Sequence, residues 1–336
     1  MHYLTLHTAK VVDQVEKTFQ ESSYDTTRII YAPKTNCCDV IATSRDRSKS
    51  LVTKIVENID TTSKDLFTEL MLLGHFLRAT PIVIGSCNRR QELEDNTIYF
   101  RMDGHIIAFN LNTLMQIVKH NIHPHKIAKR GGYMYQIDGE ELKNLREKQD
   151  ISRKSLSEAL DISVKTIAEY ERRKTVNSQV KHVELLEKIL QSPLKQPVQI
   201  FDLPKKTKMI EQNRPSPQAH NSEIAHEISD VLKDLNIFQF WTKNSPFDVF
   251  LVVPGMETQV QVVSGIFSNI QEEDLKRLYK IAQIVKIRNK MGTVRAIVED
   301  HDDAKQCKKL GVIPIESKKL KEAKKPKEIV KILSKQ

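Results

Sequence analysis

Between residues 152 and 174 the chain gathers its clearest set of chemically active side chains. Lys165, Thr166 and Glu169 share the outward side of a short helical stretch whose inward side carries Ile167 and Tyr170. A lysine donor, a hydroxyl and a carboxylate acceptor on one face suit hydrogen bonding to another polar surface. Positive charge brackets that face, with Arg153 and Lys154 before it and Arg172, Arg173 and Lys174 after it. This is the chemistry of recognition rather than of bond making. Other groupings are weaker. His120, His123 and His125 lie close enough in sequence to ligate a metal, but in a polar stretch that reads as a linker. Cys37, Cys38, Cys87 and Cys307 form no CxxC pair and read as buried thiols rather than disulfide or zinc ligands. No GxxxxGK[ST] or GxGxxG loop accompanies the apolar run at Pro81–Gly85. No cofactor and no bound metal are expected.

The elements that must position the polar face can be read locally. Ser152 stands where an N-cap belongs and opens a helix over Arg153–Leu160 that turns Leu156 and Leu160 inward. Ser157 is small enough for a close helix crossing. Asp161 tolerates a left-handed turn, and Ile162 after it plugs a core. Ser163 is a second N-cap, opening a helix from Val164 to about Arg172. A helix at Glu140–Lys148, with Leu142 and Leu145 inward, precedes this pair. An amphipathic helix with Val183, Leu186, Ile189 and Leu190 follows it.

This helix, three-residue turn and second helix resemble the helix-turn-helix domain of the phage-repressor and xenobiotic-response-element families. The resemblance covers about 55 residues, with the unit itself at Ser152–Glu171. In those families the second helix enters the DNA major groove. The resemblance therefore implies that Val164, Lys165, Thr166 and Glu169 meet base edges. Lysine would donate to guanine O6 and N7, glutamate accept from cytosine N4, and valine touch a thymine methyl. It further implies phosphate contacts for Arg153, Lys154, Arg172, Arg173 and Lys174, and a bracing role for Glu171. Two positions depart from the pattern: Asp161 replaces the usual turn glycine, and Arg173 the glycine after the recognition helix. The segment 137–191 is also balanced in charge, with eleven Lys or Arg against eleven Asp or Glu. With RGGYMYQIDGEELKNLRE leading into the motif and an α/β domain on each side, most of the chain resembles a family of archaeal transcriptional regulators.

Composition sets the frame. The chain has 336 residues, 39% hydrophobic and 29% charged, which suits two or three globular domains. No apolar stretch reaches the roughly 20 residues of a membrane-spanning helix, and no secretion signal opens the chain, so a cytoplasmic protein without membrane contact is expected. The expected domains are an N-terminal α/β domain at 1–120, an all-α helix-turn-helix domain at 130–192, a basic, proline-containing linker at 193–221, and a C-terminal α/β domain with a Lys-rich tail at 222–336. Of the net charge of +10, residues 305–336 carry +8, eleven Lys against three Glu. The flanking domains share an order of elements and also words. DVIATSRDRSKSLVTKIVENI (39–59) and DVFLVVPGMETQVQVVSGIFSNI (248–270) each run from Asp-Val to Asn-Ile, and Asp-Leu follows in both, at Asp65 and Asp274. This reads as a diverged duplication.

The order helix, three strands, helix, strand resembles the core of restriction-endonuclease-like nucleases. Those hold a metal with an Asp on one strand and a Glu/Asp-x-Lys on the next. Here Asp39 and Lys54 fit, but Val52 occupies the second carboxylate position, leaving Glu57 or Glu69 as substitutes; in the second copy Asp248 remains and Gly265 stands near the Lys position. The function expected is therefore a non-enzymatic, sequence-specific regulator of transcription that binds double-stranded DNA as a homodimer. A nuclease-like DNA-processing protein targeted by its helix-turn-helix is the alternative. A bridge to the transcription machinery is a third reading, although known bridging factors of this type carry a zinc ribbon that this chain lacks.

Overall fold

In a computed structural model the described residues are 6–29, 36–129, 131–201, 223–253, 260–267, 271–288, 292–309 and 312–334. The chain divides into two compact units. One comprises Met1–Ile55, Thr62–Pro81 and Lys205–Gln336, the other Val56–Thr61 and Ile82–Pro204.

The first unit opens with α1 (Leu6–Glu21), β1 (Tyr24–Arg28), β2 (Val40–Ser44), β3 (Ser50–Ile55) and α2 (Lys64–Leu77). β1 pairs antiparallel with β2, and β2 with β3, in registers Arg28↔Val40 and Val40↔Thr53. The sequence reads as a strand at Arg28–Tyr31, but β1 lies earlier and shares only Arg28 with that run; residues 30 and 31 lie outside the described residues. Every residue of β3 is buried. α2 begins at a proper N-cap, with Ser63 Oγ accepting from Leu66 N, and ends at Arg78 in the left-handed region. β4 (Thr80–Ile84) straddles the boundary between the units.

The second unit continues with β5 (Thr97–Arg101), β6 (Ile106–Phe109) and α3 (Leu111–His120). It goes on through β7 (Lys126–Lys129), β8 (Gly132–Asp138), α4 (Gly139–Lys148), α5 (Arg153–Leu160), α6 (Val164–Arg172), β9 (Thr175–Gln179), α7 (Val180–Leu190) and β10 (Lys195–Gln196). The sequence reads as a hairpin over Thr97–Phe109 around Met102–Gly104, and β5 and β6 form it. The stretch 119–132 is not a linker. Ile127 is 1% exposed, and β7 pairs with β5 and β8. Its sequence, KIAK, has one inward apolar residue, too few to signal a strand. The linker expected from 193 is likewise packed at its start, where Val198 and Ile200 are buried; the described residues stop at 201. The central helices pack as expected around Leu142, Leu156, Leu160, Ile167, Val183, Leu186 and Leu190. The all-α expectation needs one amendment. β9 follows α6 directly and pairs with β8, so Ile137 and Val176 join the helical core from strands.

The first unit resumes with α8 (Glu223–Asp234), β11 (Phe238–Trp241), β12 (Val249–Val253), β13 (Val260–Phe267), α9 (Glu272–Arg288), β14 (Gly292–Val298), α10 (His301–Lys309), β15 (Ile313–Glu316), α11 (Ser317–Lys321) and α12 (Pro326–Ser334). The sheet order is β11-β12-β13-β14-β15, antiparallel for the first three strands and parallel for the last three. The sequence places a turn at Pro254–Gly255, which lies outside the described residues. One set of contacts appears twice. In the first copy Ile29 N donates to Asp39 O, Asp39 N to Thr53 O, and Ile55 N to Asp39 Oδ2. In the second, Thr242 N donates to Asp248 O, Asp248 N to Ser264 O, and Ile266 N to Asp248 Oδ2. The shared Asp-Val words thus mark a shared structural position, with Gly265 where the first copy has Lys54.

Candidate nucleic-acid interface

Three local devices aim α6. The first is capping. Ser152 Oγ accepts from Ser155 N and Ser163 Oγ from Thr166 N, both at 3.0 Å, and each fixes where its helix begins. The second is the turn between the helices. Asp161 adopts φ 52° and ψ 48°, the left-handed conformation that a short polar side chain tolerates. Ile162 N then donates back to Ser157 O at 3.1 Å, and Ser157 is buried at the crossing. The third is a clamp on the far end of α6. Glu171 accepts from Arg146 Nε at 2.6 Å, Arg146 Nη2 at 3.2 Å and Arg153 Nε at 2.8 Å. Burial alone would raise the Glu171 pKa, but these guanidinium groups outweigh it and hold the carboxyl below its ordinary value.

α4 meets the same end of α6 through Gly139. A Cβ there would lie 2.0 Å from Tyr170 O and 2.3 Å from Arg173 O. Asp138 caps α4 just before this contact, its Oδ1 accepting from Glu140 N and Glu141 N. Arg146 and Gly139 were not singled out from sequence. Arg146 stands four residues after the inward Leu142, a spacing that places it on the buried face of α4. Gly139 directly follows the capping Asp138 in a segment otherwise rich in good helix formers.

With α6 held in this way, Ile167 is fully buried and Val164 is 45% exposed, an uncommon position for a large apolar side chain. Lys165, Arg172, Arg173 and Lys174 are exposed, and Thr166 and Glu169 are half-buried. Thr166 Oγ1 is 2.8 Å from the capping Ser163 Oγ. Glu169 Oε2 accepts from Arg172 Nη2 at 2.7 Å and lies 3.5 Å from Arg173 Nη2. Lys154 is exposed, 3.9 Å from Glu158. Tyr170 is half-buried rather than enclosed, and its hydroxyl accepts from Ser178 Oγ on β9. The residues expected from sequence therefore gather on one helix and its flanks. Arg153 differs from the others because its guanidinium braces Glu171.

The nuclease-like position has a different character. Asp39 and Lys54 are both buried, with Lys54 Nζ 3.0 Å from Asp39 Oδ1 and Ile55 N donating to Asp39 Oδ2 at 2.6 Å. Burial raises the Asp39 pKa, and Lys54 opposes that rise. Val52 is fully buried at the second carboxylate position. Glu69 is engaged elsewhere, accepting from Lys243 N, Asn244 N and Ser245 Oγ at 2.8–3.0 Å. Mg²⁺ needs several oxygen ligands in near-octahedral array. One carboxylate already shared between a lysine and a backbone N–H does not provide them. Among the described residues no group of three or more His, Cys, Asp or Glu is placed to hold a metal ion, and this includes the histidines near residue 123. His123 instead packs edge-on against Phe201.

Residues 8–124 match the model of PD-(D/E)XK superfamily domains, and residues 142–196 match a helix-turn-helix model. No solved structure matches the chain. Among the described residues no helix is long and apolar enough to cross a membrane. A "Putative HTH-type transcriptional regulatory protein" of Pyrococcus furiosus is 30% identical over 272 residues, covering 81% of this chain and 82% of that protein. Proteins of the same name from Thermococcus gammatolerans and Methanococcus vannielii are 26% and 31% identical, covering 96% and 74% of this chain and 95% and 75% of those proteins. A nuclease-like α/β domain joined to a helix-turn-helix, aligned with these relatives over most of its length, places this chain in the archaeal family of HTH-type transcriptional regulatory proteins.

Proposed function

We propose that the chain is a sequence-specific regulator of transcription that lays α6 in the major groove of double-stranded DNA. What carries this reading is the orientation of α6: Ile167 is pinned inside while Val164 and Lys165 face outward. Lys165, Thr166 and Val164 contact base edges, and Lys154, Arg172, Arg173 and Lys174 contact phosphates. Arg153 reaches phosphate only as far as its bond to Glu171 allows. Glu169 accepts from a cytosine once Arg172 turns to the backbone. The helix-turn-helix segment at 130–192 reads the DNA, and the α/β segments at 1–120 and 222–336 provide dimerisation, a partner surface or an effector site. One such domain reads few base pairs, so two copies bind half-sites about one DNA turn, roughly 34 Å, apart. The protein works in the cytoplasm, and the transcription machinery is a further partner.

Selecting bound fragments from random DNA at fixed salt defines the operator. Lys165→Ala then changes which base is preferred at one position per half-site, by about 1–3 kcal/mol. Arg172→Ala instead weakens all duplexes alike and lowers the salt slope by about one unit. Unchanged base preference in Lys165→Ala would show that α6 is turned away from the groove. Light scattering that finds one protein per operator would remove the dimer.

The match to nuclease-like domains keeps the alternative reading in view, and it is tested directly. Supercoiled plasmid incubated with the protein and Mg²⁺ or Mn²⁺ is expected to stay intact, because Asp39 is committed to Lys54 and Ile55. Nicking that Asp39→Ala abolishes would establish the enzyme.

A further inference from the structure

The recognition helix leaves most of the chain's positive charge unused. The net charge is +10, and residues 305–336 contribute +8, so the other 304 residues sum to only +2. Much of this charge lies on one local surface. Lys318, Lys324, Lys325, Lys327 and Lys331 are exposed on α11, α12 and the residues joining them. Among the described residues none of the five ammonium groups is ion-paired, although the Glu328 carboxylate accepts from the backbone N–H of Lys324 at 2.7 Å. Two neighbours differ: Lys319 pairs with Glu316, and Lys321 with Glu227. The opposite side of these helices is apolar, and Leu320, Ile329 and Leu333 are buried in the unit's core. Burial fixes which side faces out, and the exposed charged residues of that side are seven lysines and two glutamates, Glu322 and Glu328.

The repeated order of elements supplies an internal comparison. β6 pairs parallel with β4 as β15 does with β14, and the helix after β6 is α3, whose ten residues include one lysine, Lys119. A helix in this place therefore does not need the lysines in order to pack. Some of them work against stability. Lys324, Lys325 and Lys327 surround the start of α12, the helix end at which positive charge is unfavourable. Positive charge that folding does not require, in clear excess over the two glutamates beside it, suits an external polyanion.

We propose that the lysine face of α11 and α12 is a second, sequence-independent contact for the phosphate backbone of double-stranded DNA. The proposal rests on the DNA-binding reading given above. Its role is affinity: base contacts made by α6 select the site, and lysines displacing condensed counterions supply the electrostatic term that the charge-balanced recognition segment lacks.

The test uses the full chain with Lys318, Lys324, Lys325, Lys327 and Lys331 all changed to Gln, and a second variant with the same five changed to Arg. Fluorescence anisotropy measures binding to 40-base-pair duplexes carrying either the selected operator or a scrambled sequence, across a salt series. The Gln variant is expected to bind both duplexes at least about tenfold more weakly. Its salt slope falls by up to about 4.5, at roughly 0.9 for each of five phosphates no longer neutralised. The ratio of operator to scrambled affinity is unchanged, and the Arg variant binds as the parent does. An unaltered slope overturns the proposal, as does a loss confined to the operator. Thermal melts show that either variant is folded. If the parent shows no operator preference yet the Gln variant still flattens the slope, the recognition reading fails and this one stands. If the five lysines instead govern binding to single-stranded RNA or to phosphatidylglycerol vesicles while duplex binding is unmoved, the partner is not duplex DNA.

Discussion

Replacing Gly139 by alanine is expected to destabilise the second unit by about 3 kcal/mol and to weaken DNA binding with it. The added Cβ would meet Tyr170 O at 2.0 Å, Arg173 O at 2.3 Å and Tyr170 C at 3.0 Å. All three are backbone atoms at the end of α6, so no side-chain rotation relieves the clash. α4 is not free to retreat either. Its first turn is capped by Asp138, and the strand before it pairs Asp138 with Thr175 on β9. The shift must therefore fall on α6, the element that presents Lys165. Urea unfolding followed by circular dichroism reads the loss of stability, and anisotropy on the selected operator reads the loss of affinity. A variant within about 0.5 kcal/mol of the parent would mean that α4 and α6 are not held this closely, since substitutions free of such clashes usually fall in that range.

What the sequence disclosed divides according to how local the cause is. Ser152, Ser163 and Asp161 act on their own backbone neighbours, and each does in the structure what its residue type suggests. The boundaries Arg153–Leu160 and Val164–Arg172 follow directly from them. β9 was hidden because TVNSQ is short and polar, with only Val176 and Ser178 buried in alternation. Its pairing depends on β8, some forty residues earlier in the chain. Arg146 was hidden for a different reason. A charged residue at an inward helix position reads as a surface residue unless its partner is known, and Glu171 is 25 residues away. The repeated words were legible, but the reason for the repeated Asp was not. Asp39 and Asp248 each accept the backbone N–H of an isoleucine on the next strand, a role shared by both copies whether or not the lysine is present. Asp39 could be taken from sequence for a metal ligand because a ligand and a strand-bridging acceptor require the same side chain.

Glu171 is the other position where a single change has a large expected cost. Glu171→Ala removes the acceptor of three hydrogen bonds and leaves the buried Arg146 guanidinium short of its main counter-charge. Breaking a buried pair from one side typically costs 3–5 kcal/mol. About 3 kcal/mol is expected here, because Arg146 keeps Ile151 O at 3.0 Å and Glu147 at 3.1 Å. Arg153→Ala should cost about 1 kcal/mol or less, since that side chain is 44% exposed. The same clamp sets a pH dependence. The folded Glu171 carboxyl titrates below its ordinary value, so its ion pairs stabilise the unit fully above the usual glutamate range, near pH 4.3. That contribution fades as pH falls through the folded pKa, where both states are protonated. Glu187 also titrates low in this unit, so the informative quantity is the difference between two unfolding curves. The stability gap between the parent and Glu171→Gln should be widest near neutrality and narrow steadily in acid. A gap that stays constant down to about pH 3 would mean that the Glu171 charge contributes nothing, leaving only the hydrogen-bonded shape of the clamp to hold α6 in place.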